Sequence, residues 1–306
     1  MKQLLRSTTY FISLISVFIA VSSCEIINPS EDIPFYLRID SISFMDSTKI
    51  PAIAAKPGVH QIKDAWIYVD GIYIGTFELP AHVPVFSGAG QRKITVSPGI
   101  LMSAQNGERR IYPFFTNYST TINAELGKTD TLAVRISYDP FSVKFPSEAV
   151  GQFPEEFEGV GTLFRTTLNS DVDTILRTDN PALVFDGNFS MLMEMNATKD
   201  FMEFETEKAY SLPNNSRPVY LEVNYRSDVN LNIGLYVINN NGVEVTEASV
   251  ITMLATNNEW KKLYLNLTST VSRYSNSKYR VYFKAAHDTN KSSTQVLIDN
   301  FRVMYK

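Results

Sequence analysis

The stretch AWIYVDGIYIGTFELP, residues 65–80, decides the fold class of this chain. Apolar and polar residues alternate on both sides of Asp70-Gly71, and alternation with this period is typical of β-strands that bury one face. Asp-Gly between two such runs is a strong signal for a tight turn, because these residues adopt the positive φ angles that the turn needs. The stretch therefore predicts a β-hairpin.

The same pattern recurs along most of the chain. Short alternating runs bounded by Gly, Pro, Asn and Asp follow one another from residue 36 onward, and helical periodicity is almost absent. The alternation is lost in YDPFSVKFPSEAVGQFP, residues 138–154, which contains three prolines. Because proline cannot donate to a strand ladder, we place a domain boundary there. The sequence predicts an all-β chain with a small β-sandwich at residues 36–140 and a second β-domain at residues 141–306.

The start of the chain predicts export. Lys2 and Arg6 precede an apolar run, residues 10–21, that is shorter than the roughly 20 residues of a membrane-spanning helix. VSSC, residues 21–24, resembles the lipobox of bacterial lipoproteins. This resemblance implies that residues 1–23 are a removable signal peptide and that Cys24 is acylated, which anchors the protein to a membrane at the outer membrane or cell surface. The alternative is a simple secretory signal with an incidental cysteine.

Cys24 is the single cysteine of the chain, so an internal disulfide framework is excluded. Residues 24–35 are acidic and proline-punctuated, and we interpret them as a tether. Removal of residues 1–23 takes away two basic residues and no acidic one, so the formal net charge falls from −4 to −6. An acidic protein is a poor ligand for phosphate backbones, and we expect no nucleic-acid partner.

The second domain resembles the jelly-roll carbohydrate-binding and galactose-binding-like modules. Fragments that occur in the same order carry this resemblance: EEFEGVGTL (155–163), ALVFDGNFSMLMEM (182–195), VYLEVNYRSD (219–228), LNIGLYVINNNG (231–242), NEWKKLYLNLT (258–268), YRVYFKA (279–285) and QVLIDNFRVMYK (295–306). The resemblance implies a β jelly-roll for residues 141–306. It also implies a structural calcium shared by Glu158 and Asp299, for which the alternative is a solvated Glu158 and a turn-forming Asp299.

Residue parity predicts a row of tyrosines opposite the core. Aliphatic positions such as Leu221, Leu235 and Leu263 alternate with polar ones, and each polar row carries a tyrosine. A tyrosine offers an apolar ring and a hydrogen-bonding tip, which suits a sugar. The predicted ligand-binding residues are Tyr220, Asn224, Arg226, Tyr236, Tyr264 and Tyr282. The alternative is that the tyrosines only form cross-strand pairs that stabilise the sheet. Neither Trp66 nor Trp260 is expected to be free for a ligand.

The sequence contains little that indicates catalysis. The three histidines, His60, His82 and His287, lack metal-ligand spacing, and no nucleophile elbow or phosphate-binding loop is present. Glu155, Glu156 and Glu158 form the densest group of acids, and a retaining glycosidase needs two carboxylates about 5 Å apart across a cleft. Three acids at the start of a strand are more often a solvated edge. We therefore predict a non-enzyme that binds glycan or a partner protein. The alternatives are an assembly subunit of an envelope complex and, third, a carboxylate-dependent glycoside hydrolase.

Overall fold

The computed structural model describes residues 31–45, 60–102, 108–149, 152–274 and 276–306. The predicted hairpin is present: strands β3 (Asp64–Val69) and β4 (Ile72–Glu78) pair antiparallel around Asp70 and Gly71. Both turn residues have positive φ, 51° and 82°, as a two-residue hairpin turn of the primed type requires. Cys24 and most of the predicted tether lie outside the described residues.

The first domain is a small β-sandwich. One sheet has the order β4-β3-β6-β7 with β8 beside β6, and we call it the platform sheet; strands β5-β1-β9 and the parallel pair β10-β2 complete the sandwich. The remaining strands are β1 (Phe35–Ile39), β2 (Ile42–Phe44), β5 (Ala81–Val85), β6 (Gly90–Met102), β7 (Glu108–Ile111), β8 (Tyr118–Ala124), β9 (Thr129–Thr131) and β10 (Val134–Ile136).

The second domain is a larger sandwich of two sheets, in agreement with the predicted jelly-roll. The cleft sheet has the order β11-β14-β20-β17-β18 with β15 beside β20, and the interdomain sheet has the order β12-β13-β21-β16-β19. The strands are β11 (Phe164–Thr166), β12 (Leu176–Thr178), β13 (Ser190–Met195), β14 (Phe201–Thr206), β15 (Tyr210–Ser211), β16 (Val219–Ser227), β17 (Leu231–Ile238), β18 (Glu244–Met253), β19 (Lys261–Asn266), β20 (Lys278–Ala286) and β21 (Thr294–Tyr305).

The core of the second domain lies between its two sheets. The aliphatic rows predicted from parity are buried there: Leu221 and Val223 on β16, Leu235 on β17, Leu263 on β19 and Val281 on β20 are each 0% exposed. The described helices are short. A 3₁₀ turn covers Ser147–Ala149 and helix α1 covers Thr268–Arg273. Among the described residues, no helix has both the length and the apolar character needed to cross a membrane.

The two domains pack directly on each other, because the outer face of the interdomain sheet continues the core of the first domain. Tyr220 and Tyr264 of this sheet and Met304 of β21 belong to the same buried cluster as Phe114 and Phe115. The predicted all-β class with a small β-sandwich before a jelly-roll is confirmed. The limits 36–140 and 141–306 stay predictions.

Candidate binding cleft

The outer face of the cleft sheet forms the floor of an open cleft of about 880 Å³. Strands β11, β14, β17, β18 and β20 each contribute to it, together with the loop that follows β11. Its lining is polar and carries charges of both signs: Arg165, Thr166, Thr167, Leu168, Asn169, Ser170, Asp173, Glu203, Glu205, Tyr236, Glu244, Glu247, Arg280 and Lys284. Donors and acceptors thus converge on one concave surface.

The floor of the cleft is built around Glu203. Tyr236 Oη donates a hydrogen bond of 2.6 Å to its carboxylate, and Lys284 Nζ lies 3.4 Å from it. Burial and the hydrogen bond to Glu203 raise the pKa of Tyr236 above its usual value, so the phenol keeps its proton and donates. The three side chains form one connected polar unit at the bottom of the cleft.

A second group of charged side chains lies around Glu205, two residues further along β14. Arg165 holds Glu205 with two nitrogens, at 2.9 Å from Nε and 2.5 Å from Nη2, and Arg280 Nη1 lies 3.5 Å from the same carboxylate. Glu203 and Glu205 point to the same side because side chains alternate along a strand. Two arginines and one carboxylate give this end of the cleft an excess of donors, which suits a ligand rich in oxygen acceptors.

The rim carries two further acids on the edge strand β18. Burial raises the pKa of Glu244, with Glu205 and Glu247 adding to the effect. Burial alone would also raise the pKa of Glu247, but the hydrogen bond from Lys284, at 2.9 Å, lowers it below its usual value. Lys284 therefore bridges the floor carboxylate Glu203 and the rim carboxylate Glu247.

Tyr282 is part of the sheet beneath the cleft. Its ring lies 4.6 Å from the ring of Tyr236, Lys284 Nζ lies 4.6 Å above its centroid, and it is 1% exposed. It packs over Gly234 of the neighbouring strand, where a Cβ atom would collide with the tyrosine hydroxyl. Of the four tyrosines predicted to bind a ligand, Tyr236 is the one that lines the cleft.

The prediction of one exposed tyrosine row is wrong, because the four tyrosines lie on two different sheets. Tyr220 and Tyr264 are on the interdomain sheet and are 5% and 2% exposed. Tyr112 of the first domain packs edge-on against both rings, at 5.3 Å and 4.8 Å between centroids. Sequence parity identifies which residues face away from the core, but it does not show that a second domain covers that face.

Beneath Tyr112 lies a buried charge cluster centred on Glu222. The carboxylate accepts hydrogen bonds from Tyr112 Oη at 2.6 Å and from Tyr138 Oη at 2.9 Å, and it faces Arg302 Nη2 at 2.8 Å and Lys262 Nζ at 3.1 Å. Burial alone would favour the protonated acid, but the charges of Arg302 and Lys262 hold the pKa of Glu222 well below its usual range. This cluster joins the two domains.

The other two predicted ligand-binding residues of β16, Asn224 and Arg226, also contact groups of the protein itself. Asn224 is fully buried, with Oδ1 at 3.4 Å from Lys262 Nζ, and it cannot reach a ligand in this arrangement. Arg226 is half-buried and donates from Nη1 to the carbonyl of Ala182 at 2.8 Å, so it holds the loop before β13. Asn224 and Arg226 were both predicted to lie on an open face of the sheet. In the structure, that face is covered.

Glu158 and Asp299 organise the loop at residues 186–190. Glu158 Oε1 accepts from the backbone nitrogens of Asn188 and Phe189, at 2.6 Å and 2.9 Å, while Asp299 Oδ2 accepts from Ser190 Oγ at 2.6 Å. Burial raises the pKa of Asp299 to about 8. Calcium takes six to eight oxygen ligands, and the described ranges contain no group of three or more acidic, His or Cys side chains placed to hold a metal. A calcium shared by Glu158 and Asp299 stays a prediction.

The acids named in the hydrolase alternative have structural partners as well. Glu155 accepts hydrogen bonds from the backbone nitrogens of Phe157 and Leu163, at 3.0 Å and 2.8 Å, and its own backbone pairs with Phe301 of β21. Together with the loop contacts of Glu158, this makes the 155–158 segment a support of the sandwich edge. The carboxylates that share a cleft are Glu203, Glu205, Glu244 and Glu247.

Apart from Tyr236, the cleft residues were not predicted from the sequence, although one signal was present. Apolar and acidic residues alternate from Met202 to Glu205, which places Glu203 and Glu205 on the face opposite Met202 and Phe204. Two acids on one face of a predicted strand are as good an indication of a polar site as the tyrosines are. Their cationic partners Arg165, Arg280 and Lys284 come from distant positions, so their convergence required the sheet order.

Comparison with known proteins gives structural neighbours and no family. No family model matches the sequence, and no curated protein matches it. A structure of carbohydrate-binding modules from the β-sandwich superfamily has 12% identity and a TM-score of 0.38, and the match covers 79% of this chain and 86% of that one.

Two further neighbours are smaller. TmCBM61, solved in complex with β-1,4-galactotriose, has 15% identity and a TM-score of 0.32, over 53% of this chain and 95% of that one. The CBM22-1 xylan-binding domain of Paenibacillus barcinonensis Xyn10C has 14% identity and a TM-score of 0.35, over 49% and 90%. These similarities are too low to transfer a ligand or a binding residue to this chain.

Proposed function

We propose that this protein is a non-catalytic, lipid-anchored envelope protein whose second domain binds glycan in the cleft. The observation that carries the proposal is the convergence of Tyr236, two arginines, a lysine and several carboxylates on one concave sheet face of about 880 Å³. A sugar presents many hydroxyls that both donate and accept, and a lining that offers donors and acceptors side by side matches that chemistry.

The accessible parts of the cleft are its charged side chains. Lys284 is 17% exposed, Arg280 23% and Glu247 42%, whereas the tyrosine rings beneath them are almost fully covered. The proposed recognition therefore depends on hydrogen bonds donated by Arg280 and Lys284 and accepted by Glu247 more than on ring stacking. The anchor at Cys24 and the outer-membrane or cell-surface location are part of the proposal and are supported by the lipobox-like VSSC stretch.

The test is glycan binding by the purified protein and its variants. We expect the wild type to bind on an array of neutral and acidic polysaccharides, and Arg280→Ala and Lys284→Ala to bind about 10- to 100-fold more weakly, since each removes a charged donor. Lys291→Ala is the matched control, because Lys291 is an exposed, ion-paired lysine outside the cleft lining.

Two results would overturn this proposal. One is wild-type affinity in both cleft variants, which would move the binding site elsewhere. The other is release of reducing sugar from a bound polysaccharide that stops in Glu247→Gln, which would make the cleft carboxylates catalytic.

A second candidate function, an assembly subunit, is favoured by the edge of the cleft sheet. Strand β18 is ten residues long and pairs on one side with β17, and exposed Val245 on this strand and Val243 just before it are 55% and 58% accessible. A long edge strand with exposed apolar side chains can accept a strand from a partner. Crosslinking of Val245→Cys in the native envelope distinguishes the two: a specific protein adduct supports assembly, and its absence supports glycan binding.

A further inference from the structure

The outer face of the platform sheet carries an exposed aromatic patch, formed by Trp66, Tyr68 and Tyr73. On β3 the residues Ala65, Ile67 and Val69 face the core of the first domain, and the alternate residues Trp66 and Tyr68 face outward. Tyr73 of β4 is in register with Tyr68. The ring of Tyr73 lies 5.7 Å from that of Trp66 and 5.4 Å from that of Tyr68, so the three rings are contiguous.

These rings are accessible, in contrast to the predicted tyrosine row of the second domain. Tyr73 is 49% exposed, and Trp66 and Tyr68 are half-buried. The indole of Trp66 packs over Gly99 of β6, where a Cβ atom would lie 2.8 Å from Nε1. The absence of a side chain at Gly99 therefore makes room for the indole on the sheet surface. The expectation that Trp66 is not free for a ligand stays a prediction, and the proposal below is its alternative.

The surroundings of the patch are hydroxylic. Tyr73 Oη and Thr76 Oγ1 are 2.6 Å apart, and Thr95 Oγ1 and Ser119 Oγ, on the neighbouring strands of the same sheet, are 3.0 Å apart. At the border of the patch, Arg109 is ion-paired with both Asp64 and Glu78, so one cation faces two acids. The patch itself offers aromatic faces and hydroxyls.

We propose that this aromatic patch is a second ligand site, which binds an uncharged polysaccharide chain. Aromatic rings stack on the apolar face of a sugar ring, and the flanking hydroxyls hydrogen-bond its substituents. A row of contiguous rings on a sheet face contacts successive sugar units of a chain, which favours a polymer over a short soluble glycan. This site is independent of the cleft in the second domain.

The proposal is tested by pull-down of the purified protein on insoluble cellulose, xylan and chitin. We expect depletion from solution by at least one of the three, and about tenfold weaker binding for Tyr73→Ala. Gly99→Ala is the second variant, because it keeps every aromatic ring while its Cβ atom would lie 2.8 Å from both the indole Nε1 and Asp64 Cβ. It is expected to weaken binding in the same direction, and its melting temperature is measured beside its binding to detect any disturbance at Asp64. Phe86→Ala is the matched control, since Phe86 is 64% exposed and follows β5 in the opposite sheet.

Two results in this assay would overturn the proposal. One is that the wild type binds none of the three polysaccharides. The other is that Tyr73→Ala and Gly99→Ala bind as strongly as the wild type. Wild-type self-association that Tyr73→Ala abolishes would assign the patch to a second copy of the chain. Arg280→Ala, measured on the same polysaccharides, separates the two sites, because loss of binding in that variant alone would support the cleft and reject the patch.

Discussion

The outer faces of the two sheets in the second domain place similar side chains side by side. On the interdomain sheet, Lys262 Nζ lies 3.1 Å from Glu222, and on the cleft sheet, Lys284 Nζ lies 3.4 Å from Glu203. Each carboxylate also accepts a tyrosine hydrogen bond of 2.6 Å, from Tyr112 and from Tyr236 respectively.

The two faces differ in what covers them. The side chains of Glu222, Lys262 and Arg302 are 0% exposed beneath the first domain, whereas Lys284 is 17% exposed and its second partner Glu247 is 42% exposed. The same residue types thus form an internal joint on one face and the floor of an open cleft on the other. Coverage by a neighbouring domain, more than residue type, separates a structural role from a binding role.

The largest expected effect on stability comes from removing the carboxylate charge of the closed face, compared with the same change in the cleft. Glu222→Gln leaves Arg302 and Lys262 buried without a counter-charge, so we expect a loss of about 3–5 kcal/mol in the free energy of unfolding. Glu203→Gln leaves Lys284 with Glu247, and we expect a loss of about 1 kcal/mol. Urea denaturation of both variants measures the difference, and similar losses would contradict the distinction between the faces.

The closed face also predicts a loss of stability in acid that begins near pH 6.5. Burial, with the charges of Lys262 and Arg302, lowers the pKa of His60 from 6.5 to about 3, against the opposing charge of Glu222. The unfolded chain therefore binds more protons than the folded one between these values, and stability is lost as the pH falls from 6.5 towards 3, by about 1.4 kcal/mol per pH unit.

His60→Phe should remove this part of the pH dependence. A phenyl ring keeps the stacking on Phe44, whose centroid lies 3.9 Å from that of His60, and it carries no titrating group. His82→Phe is the control, because His82 is exposed. Denaturation midpoints at pH 7, 6, 5 and 4 give the slopes. A slope for His60→Phe equal to that of the wild type would refute the assignment.

On the cleft sheet, we expect Gly234→Ala to have a smaller effect on stability. The new Cβ atom would lie 2.6 Å from the carbonyl oxygen of Ala248 and would collide with the Tyr282 hydroxyl. We therefore expect the free energy of unfolding to fall by about 1–3 kcal/mol. Gly159→Ala is the control, since a Cβ atom there meets nothing within 4 Å. Equal melting temperatures for the two variants would mean that Tyr282 is not packed into the sheet.

Chelation is expected to have the smallest effect. Because Glu158 and Asp299 are hydrogen-bonded to the 186–190 loop, dialysis against EDTA should leave the melting temperature unchanged within about 1 °C, whereas a bound ion stabilises the fold it binds. A fall of several degrees, reversed by added calcium, would support the calcium site that the jelly-roll resemblance implies.

Local patterns in the sequence predict the strands and the buried rows well. The Asp70-Gly71 turn and the alternation around Leu221, Leu235 and Leu263 are local features, because turn chemistry and strand parity depend on neighbouring residues. The position of the tyrosines on two sheets is not local. Tyr264 is covered by Tyr112, more than 150 residues earlier in the chain, and strand parity contains no information about such a contact.

The cleft and the aromatic patch were missed for a related reason. Arg165, Glu205 and Arg280 meet only because β11, β14 and β20 are neighbours in the sheet. The accessibility of Trp66 on β3 depends on Gly99 on β6. Strands β4 and β5 separate the two in the sequence, and they become neighbours only because β3 pairs with β6. In both cases the residue types were visible and the partner that gives them a role was not.

The central claim is that the cleft sheet binds a ligand and the interdomain sheet joins the domains. Hydrogen exchange of the purified protein with and without the polysaccharide that it binds on the array tests it most directly. We predict that this glycan slows exchange in residues 165–170, 201–206 and 278–286 and leaves residues 219–227 and 261–266 unchanged. Protection confined to the last two segments, or no protection in the first three, would contradict the claim.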